Sequence, residues 1–279
     1  EQSTLDENVV TTQGTVASGT TPYSLGFRNT WKIQNGNQTS SAPNDVRIML
    51  QYKIEAQDIA NSGWNYTSSS SFITLSFWVK SSVAQNFYGI FQTNDGTEYN
   101  YPFETGSLTA DTWTKIVKTI PGNSNLQFDN DNGIGVKIEI HMIRGVVYTD
   151  SGVSLNTWAA YATGTRTPNQ TTTWYSTNDA TFEITGIQLE VGPQATAFEH
   201  RSFGDELALC QRYFCIVKAY VGAANGWIIH YPVTMRTTPS ATVNSGSIPS
   251  VNQLTTSTSN WNNVTGSANM AECFYSAEL

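Results

Sequence analysis

The strongest constraint on what this chain can fold into is a rhythm of two. Residues 135–143 alternate almost strictly, with Val136, Ile138, Ile140 and Met142 on one side and polar residues between them. Residues 73–80 carry Ile73, Leu75 and Phe77 at odd positions, residues 112–120 run strand-like into a Pro121-Gly122 turn, and residues 181–190 alternate again. Successive side chains of a strand point to opposite faces, so each segment buries one face and wets the other. Clusters of Gly, Asn, Asp, Ser and Pro separate them. No repeat of fixed period is present, which argues against propellers, solenoids and long β-helices. The expected fold is all-β: a jelly-roll β-sandwich followed by a short helix and a smaller C-terminal antiparallel β unit.

The helix is expected near Ser202. Ser202 can cap it, Asp205 and Glu206 fall in its first turn, and Leu207, Cys210 and Phe214 make a stripe at spacings of three and four. It divides the chain into a jelly-roll domain over 1–201, a linking helix over 202–213 and a β unit over 214–279. Strands are expected in the last unit over 213–221, 227–235, 241–243 and 270–277. Residues 245–266, nearly all Ser, Thr and Asn, read as a loop carrying an exposed Trp261.

Composition narrows the function. The chain has 279 residues and a net charge of −8, with no run of Lys or Arg, so it lacks the basic patch that nucleic-acid binding needs. Its apolar runs, such as 227–229 and 77–79, are too short to span a bilayer. No signal peptide opens the chain, and Glu1 reads as a processed or cut end. Only 13% of residues are charged, against about a quarter in an average domain. Hydroxyls and amides must therefore form much of the surface. Three cysteines (Cys210, Cys215, Cys273) without CxxC spacing read as thiols in a chain made in a reducing cytoplasm, with a Cys215–Cys273 bridge as the sharper alternative. Sequons at Asn37, Asn65, Asn169 and Asn263 mark surface loops and nothing more.

No catalytic constellation is readable. There is no G-x-S-x-G elbow, and His141 falls on the wet side of its strand. Glu199-His200-Arg201 can be read as a catalytic pair or as a polar latch at the domain junction; without a nucleophile or oxyanion partner the latch is the better reading. Asp95, Glu98 and Glu104 could serve as glycosidase carboxylates or as the rim of a binding cleft, and the rim is favoured. Residues 129–133 resemble a calcium loop but place glycine too early, and Asn132-Gly133 is a hairpin dipeptide in its own right. No metal site is assigned. The positive chemical signal is aromatic content: 12% of the chain, with 8 Trp and 13 Tyr. Sugar rings stack their C–H faces on indole and phenol. Trp78 and Trp113, inside strands, are assigned to the core. Trp64, Tyr66, Tyr99, Tyr101 and Trp174, among Ser, Thr and Asn, are the expected glycan platform.

One stretch resembles a known family. TGIQLEVGPQATAFEHRSFGDELALCQRYF, from Thr185 to Phe214, is similar to a segment of bacteriophage tail fibres and related virion proteins. SFWVKSS at 76–82, DTWTKIVKTIPG at 111–122, NDNGIGVKI at 130–138 and YSAEL at 275–279 match the same pattern. The resemblance covers residues 48–214 well and the tail loosely; residues before Ile48 match poorly. It implies a jelly roll like that of carbohydrate-binding modules, extracellular work on the virion surface, and attachment to a host cell-surface glycan without turnover. It also implies other virion proteins as partners and a homotrimer. Tyr213, Phe214, Tyr220, Trp227, Ile228, Ile229, Tyr231, Val233 and Phe274 give the small C-terminal unit an apolar excess that assembly would cover. The resemblance leaves room for a structural calcium without placing it, and no other cofactor is implied. A capsid decoration or fibre-anchoring protein, and a glycan-cleaving tailspike, are the alternatives.

Overall fold

The structure, a computed structural model, describes residues 5–221, 227–245, 250–252, 254–262 and 269–278. The Tyr220 side chain, the Asn263 sequon and Leu279 lie outside the described residues. The chain divides into two compact units between Phe198 and Glu199.

The first unit is a jelly-roll sandwich of two five-stranded sheets. Its strands are β1 (Val10–Thr15), β2 (Asn29–Gln34), β3 (Arg47–Glu55), β4 (Phe72–Ser81), β5 (Asn86–Thr93), β6 (Tyr99–Ser107), β7 (Thr114–Pro121), β8 (Ile134–Arg144), β9 (Ala159–Ala160) and β10 (Thr181–Val191). The first sheet runs β1-β2-β10-β4-β7 and the second β3-β8-β5-β6-β9. Every pairing within them is antiparallel. Strands therefore begin well before Ile48, and β2 pairs with β10 across most of the unit's length.

Alternation decides which face is inside. On β4, Ile73, Leu75, Phe77 and Val79 are buried among β8's Val136, Ile138 and Ile140 and β5's Phe91 in one continuous core. Each such side chain contributes roughly 1.5–3 kcal/mol when fully buried. Phe87 of the second sheet meets Phe182 of the first edge-on at 4.9 Å. A one-residue slip would turn this whole set to solvent.

β10 makes such a change of phase by design. Between Thr185 and Gln188 its register to β4 shifts by a β-bulge, with Gly186 at φ +60°. Phe182 and Ile184 face inward before the bulge, and Leu189 packs on the core after it. Ile187 is turned to the surface, and Val191 is exposed at the strand's end.

The 129–133 turn is not a hairpin, because the strands it joins, β7 and β8, lie in different sheets. Its carbonyls instead accept the first N–H groups of the short helix α2 (Ala56–Ala60): Asp131 O from Gln57 at 2.9 Å and Gly133 O from Ala56 at 2.9 Å. Two other single-turn α-helices, α1 (Thr21–Ser24) and α3 (Thr173–Ser176), belong to the unit, as do 3-10 turns at Val146–Tyr148 and Thr163–Thr165.

The second unit opens with α4 (Phe203–Gln211), capped by Ser202, whose Oγ accepts from Asp205 N at 3.2 Å. Leu207, Cys210 and Phe214 of the expected stripe are exposed. Two three-stranded sheets follow: β11 (Phe214–Val221), β16 (Asn269–Ser276) and β13 (Ser240–Ser245), then β12 (Trp227–His230), β15 (Thr258–Asn262) and β14 (Ser250–Asn252). The polar stretch read as a loop thus supplies two strands. Trp261, expected to be exposed, is buried, its Nε1 donating to Tyr275 Oη at 2.5 Å. Cys215 and Cys273 are buried free thiols, pushed up by burial, and Cys210 is exposed.

Candidate functional site

The structure does not assemble the expected aromatic platform. Trp64, Tyr101 and Trp174 are buried. Trp64 stands edge-on to Phe91 at 6.4 Å, its Nε1 donating to Ser71 O at 3.3 Å. Trp174 lies in α3, whose single turn directs both Trp174 and Tyr175 into the core. Tyr101 alternates inward on β6 and packs on Trp158 at 5.3 Å. Polar neighbours in sequence did not mean exposure, because side chains of a strand point to opposite faces in turn and those of a helix sweep around its axis, so a buried ring can sit beside exposed hydroxyls and amides. Tyr66 and Tyr99 are half-buried, Tyr66 edge-on to Phe128 at 4.8 Å.

The candidate carboxylates are engaged by amides. Glu98 accepts from Gln92 Nε2 at 2.9 Å and Asn94 Nδ2 at 3.2 Å, and Glu104 from Asn86 Nδ2 at 2.6 Å. Asp95 accepts from the Asp129 amide at 3.0 Å; burial, and then the nearby Asp129 and Asp131, push its carboxyl upward. In the second unit Glu199 and His200 are exposed, and Arg201 pairs with Glu206 at 3.2 Å. Among the described residues no group of His, Cys, Asp and Glu is arranged to hold a metal, and no helix is long and apolar enough to cross a membrane.

The aromatic surface is elsewhere. Trp78 and Trp113, assigned to the core from sequence, are half-buried on the outer face of the first sheet. Trp78 sits opposite Thr185 on β10 and Lys115 on β7, while Trp113 precedes β7 at the diagonal position. Diagonal neighbours on one face lie about 7–8 Å apart. Lys80 bridges the strip, its Nζ 5.2 Å from the Trp113 ring centre and 2.9 Å from Glu183 Oε1. Glu183 Oε2 in turn accepts from Thr30 Oγ1 at 3.1 Å. Residues after β10 cover the other end of this face: Thr74 Oγ1 donates to Gly192 O at 2.7 Å and Thr119 Oγ1 to Pro193 O at 3.2 Å. The result is a short strip of two indoles edged by two lysines, a carboxylate and hydroxyls. The parity of β4 held the signal: Trp78 is even where every core residue is odd.

The outer face of the second sheet is polar and yet buried, since the chain between β8 and β10 lies against it. His141, read as a surface residue, is 0% exposed. Its Nε2 is 3.0 Å from Glu139 Oε2, and its Nδ1 is 3.4 Å from Gln170 Nε2 on the covering segment. Arg144 Nη2 donates to the same Glu139 oxygen. Burial, reinforced by the Arg144 charge, holds His141 down at about 4, so the ring is neutral. Burial alone would raise Glu139, but its bonds to His141 and Gln51 and the Arg144 charge outweigh that and keep it ionised. Beside this cluster, at the β6–β9 edge, is a cleft of about 350 Å³ lined by Asn100, Pro102, Asp150, Val153, Thr157 and Thr165 among others. Asn100 is 2% exposed, and neither atom of its amide has a hydrogen-bond partner. Such a group costs about 1–3 kcal/mol unless something outside the chain satisfies it.

No protein-family model matches the chain, and no curated protein does. Among solved structures it is similar to one described as "CBM4 structure and function", at 10% identity and a TM-score of 0.30, over 58% of this chain and 84% of that one. A protein of Bacteroides thetaiotaomicron VPI-5482 described as sugar-binding gives 10% identity and a TM-score of 0.29, over 67% of this chain and 84% of the other.

Proposed function

We propose that the chain is a non-enzymatic receptor-binding protein of a bacteriophage particle, of the tail-fibre or tailspike kind, that attaches to host-surface glycans and works as a homotrimer. The observation that carries the glycan reading is the Trp78–Trp113 strip, where two half-exposed indoles lie beside Lys80, Lys115, Glu183 and Thr185 on a rigid sheet. Indole faces take the apolar side of a sugar ring, and the flanking charges and hydroxyls take its OH groups. The strip holds one carboxylate, where glycoside hydrolysis ordinarily uses two. The particle context is supported by the Thr185–Phe214 segment and the shorter matching motifs. Assembly is supported by the apolar side chains that the second unit leaves exposed, among them Phe203 at 83%, Ile228 and Ile216.

A glycan array on the full chain tests the reading, with Trp78→Ala and Trp113→Ala alongside. Each truncation is expected to lower affinity about tenfold, equivalent to about 1.4 kcal/mol per ring, with thermal stability nearly unchanged. An array without hits, together with localisation of the protein to an internal position on the particle, would favour the anchoring alternative. Release of reducing ends from host polysaccharide would favour the cleaving one.

A further inference from the structure

The cleft at the β6–β9 edge is separate from the indole strip, which lies on the opposite sheet. Its floor is the outer face of β6, where Asn100 and Pro102 alternate with inward-facing Tyr101 and Phe103. Its wall is the loop leading to and past β9, held in place by Asn156 N donating to Pro102 O at 2.8 Å and by Asp150 N donating to Thr167 O at 3.1 Å. Asp150 Oδ1 fixes the loop's turn by accepting from Gly152 N at 2.7 Å. Three features of the lining limit what it can hold. The volume of about 350 Å³ is at the lower end of small-molecule sites, which run from roughly 300 to 1,000 Å³, so the occupant is one ring rather than a chain. The lining includes Asp150 but no lysine or arginine, so the occupant is not an anion. A single carboxylate is likewise too few for a hard cation.

Asn100 sets the remaining requirement. Its amide offers two donor hydrogens and an acceptor oxygen side by side, and the chain uses neither atom. Neighbouring hydroxyls on one ring supply the complementary acceptor and donor. Pro102, Val153 and Ala159 give that ring an apolar surface to lie on, and Ser154, Thr157 and Thr165 add hydroxyls around it. We propose that this cleft is a second binding site, for a single neutral polyhydroxylated ring recognised through two adjacent hydroxyls paired with the Asn100 amide.

The test is a titration of the full chain, followed by amide NMR, with methyl glycosides of glucose, galactose, mannose and xylose. At least one is expected to bind with a dissociation constant on the order of millimolar, as befits so small a ligand. Its permethylated form, the same ring without donors, is expected not to bind. Asn100→Leu replaces an unpaired amide by an apolar group of similar shape, so folding should survive, and affinity should fall at least about tenfold. Val153→Trp fills the cleft from the loop without touching β6 and should abolish the shifts. Neither variant should change oligosaccharide binding at Trp78 and Trp113, and Trp78→Ala should leave the monosaccharide shifts intact, so the two sites fail separately. Absence of shifts with all four glycosides would overturn the proposal, as would wild-type affinity in both Asn100→Leu and Val153→Trp.

Discussion

A neutral histidine buried between a carboxylate and a guanidinium makes the first unit sensitive to acid. In the unfolded chain His141 takes up a proton near pH 6.5; in the folded chain, shielded from water and facing Arg144, it does not until about 4. The unfolded state therefore binds more protons between those values. Folding stability falls as pH drops through that window, by at most roughly 3 kcal/mol. Glu139 adds to the loss at lower pH, since its depressed carboxyl contributes stability that disappears as the folded state is protonated. The urea midpoint is expected to fall steeply from pH 7 to pH 4, and His141→Gln should flatten that slope. An unchanged slope in the variant would assign the acid sensitivity to other groups. Sequence placed His141 on the outer side of β8 correctly and its environment wrongly. Parity tells which face a residue is on, but not whether a distant segment, here the one carrying Gln170, lies against that face. A related gap explains the aromatics: Trp174 and Trp64 looked exposed beside Ser, Thr and Asn but are buried, while Trp78 and Trp113 were placed in the core for lying inside strands, although a strand turns every second residue outward.

Among the elements, β4 and β8 were legible outright, because their alternation runs unbroken and each meets the core on one side. β10 was legible only to its bulge. Nothing in the text of Thr185-Gly186-Ile187 announces that the phase changes there, except the glycine itself. Gly186 is left-handed, and an added Cβ would lie 2.5 Å from the Phe27 ring. Left-handed backbone is unfavourable by about 1–2 kcal/mol for any residue with a Cβ. Gly186→Ala should therefore destabilise the unit by about 2 kcal/mol or more, lowering Tm by roughly 4–8 °C. Calorimetry would show it; an unaltered Tm would mean the bulge relaxes without resistance. The second unit was the hardest to read. Strands β14 and β15 are short and built from Ser, Thr and Asn, so only Val251 and Trp261 hint that anything there is buried.

At the scale of the whole molecule, the sandwich has its own core, closed by residues up to Phe198, whose ring stacks edge-on against Phe27 at 4.9 Å. A fragment ending at Phe198 is expected to fold and unfold cooperatively, with the acid sensitivity of the full chain. Light scattering of the full chain at micromolar concentration should give three times 30.6 kDa, and the fragment a single mass. A full chain of monomer mass would refute the trimer.

The place of β10 in the first sheet has a consequence for how the molecule comes into being. It is hydrogen-bonded to β2 on one side and β4 on the other, so the two halves of that sheet have no common edge until the chain has been synthesised past Val191. During translation β2 and β4 wait with open edges, and the structure cannot close progressively from its beginning. Pairings so far apart in sequence form slowly, in milliseconds to seconds for sandwiches of this kind. A nascent chain stalled before Thr181 would hold an aggregation-prone half-sheet, and adding a peptide of residues 181–198 in trans should let it close.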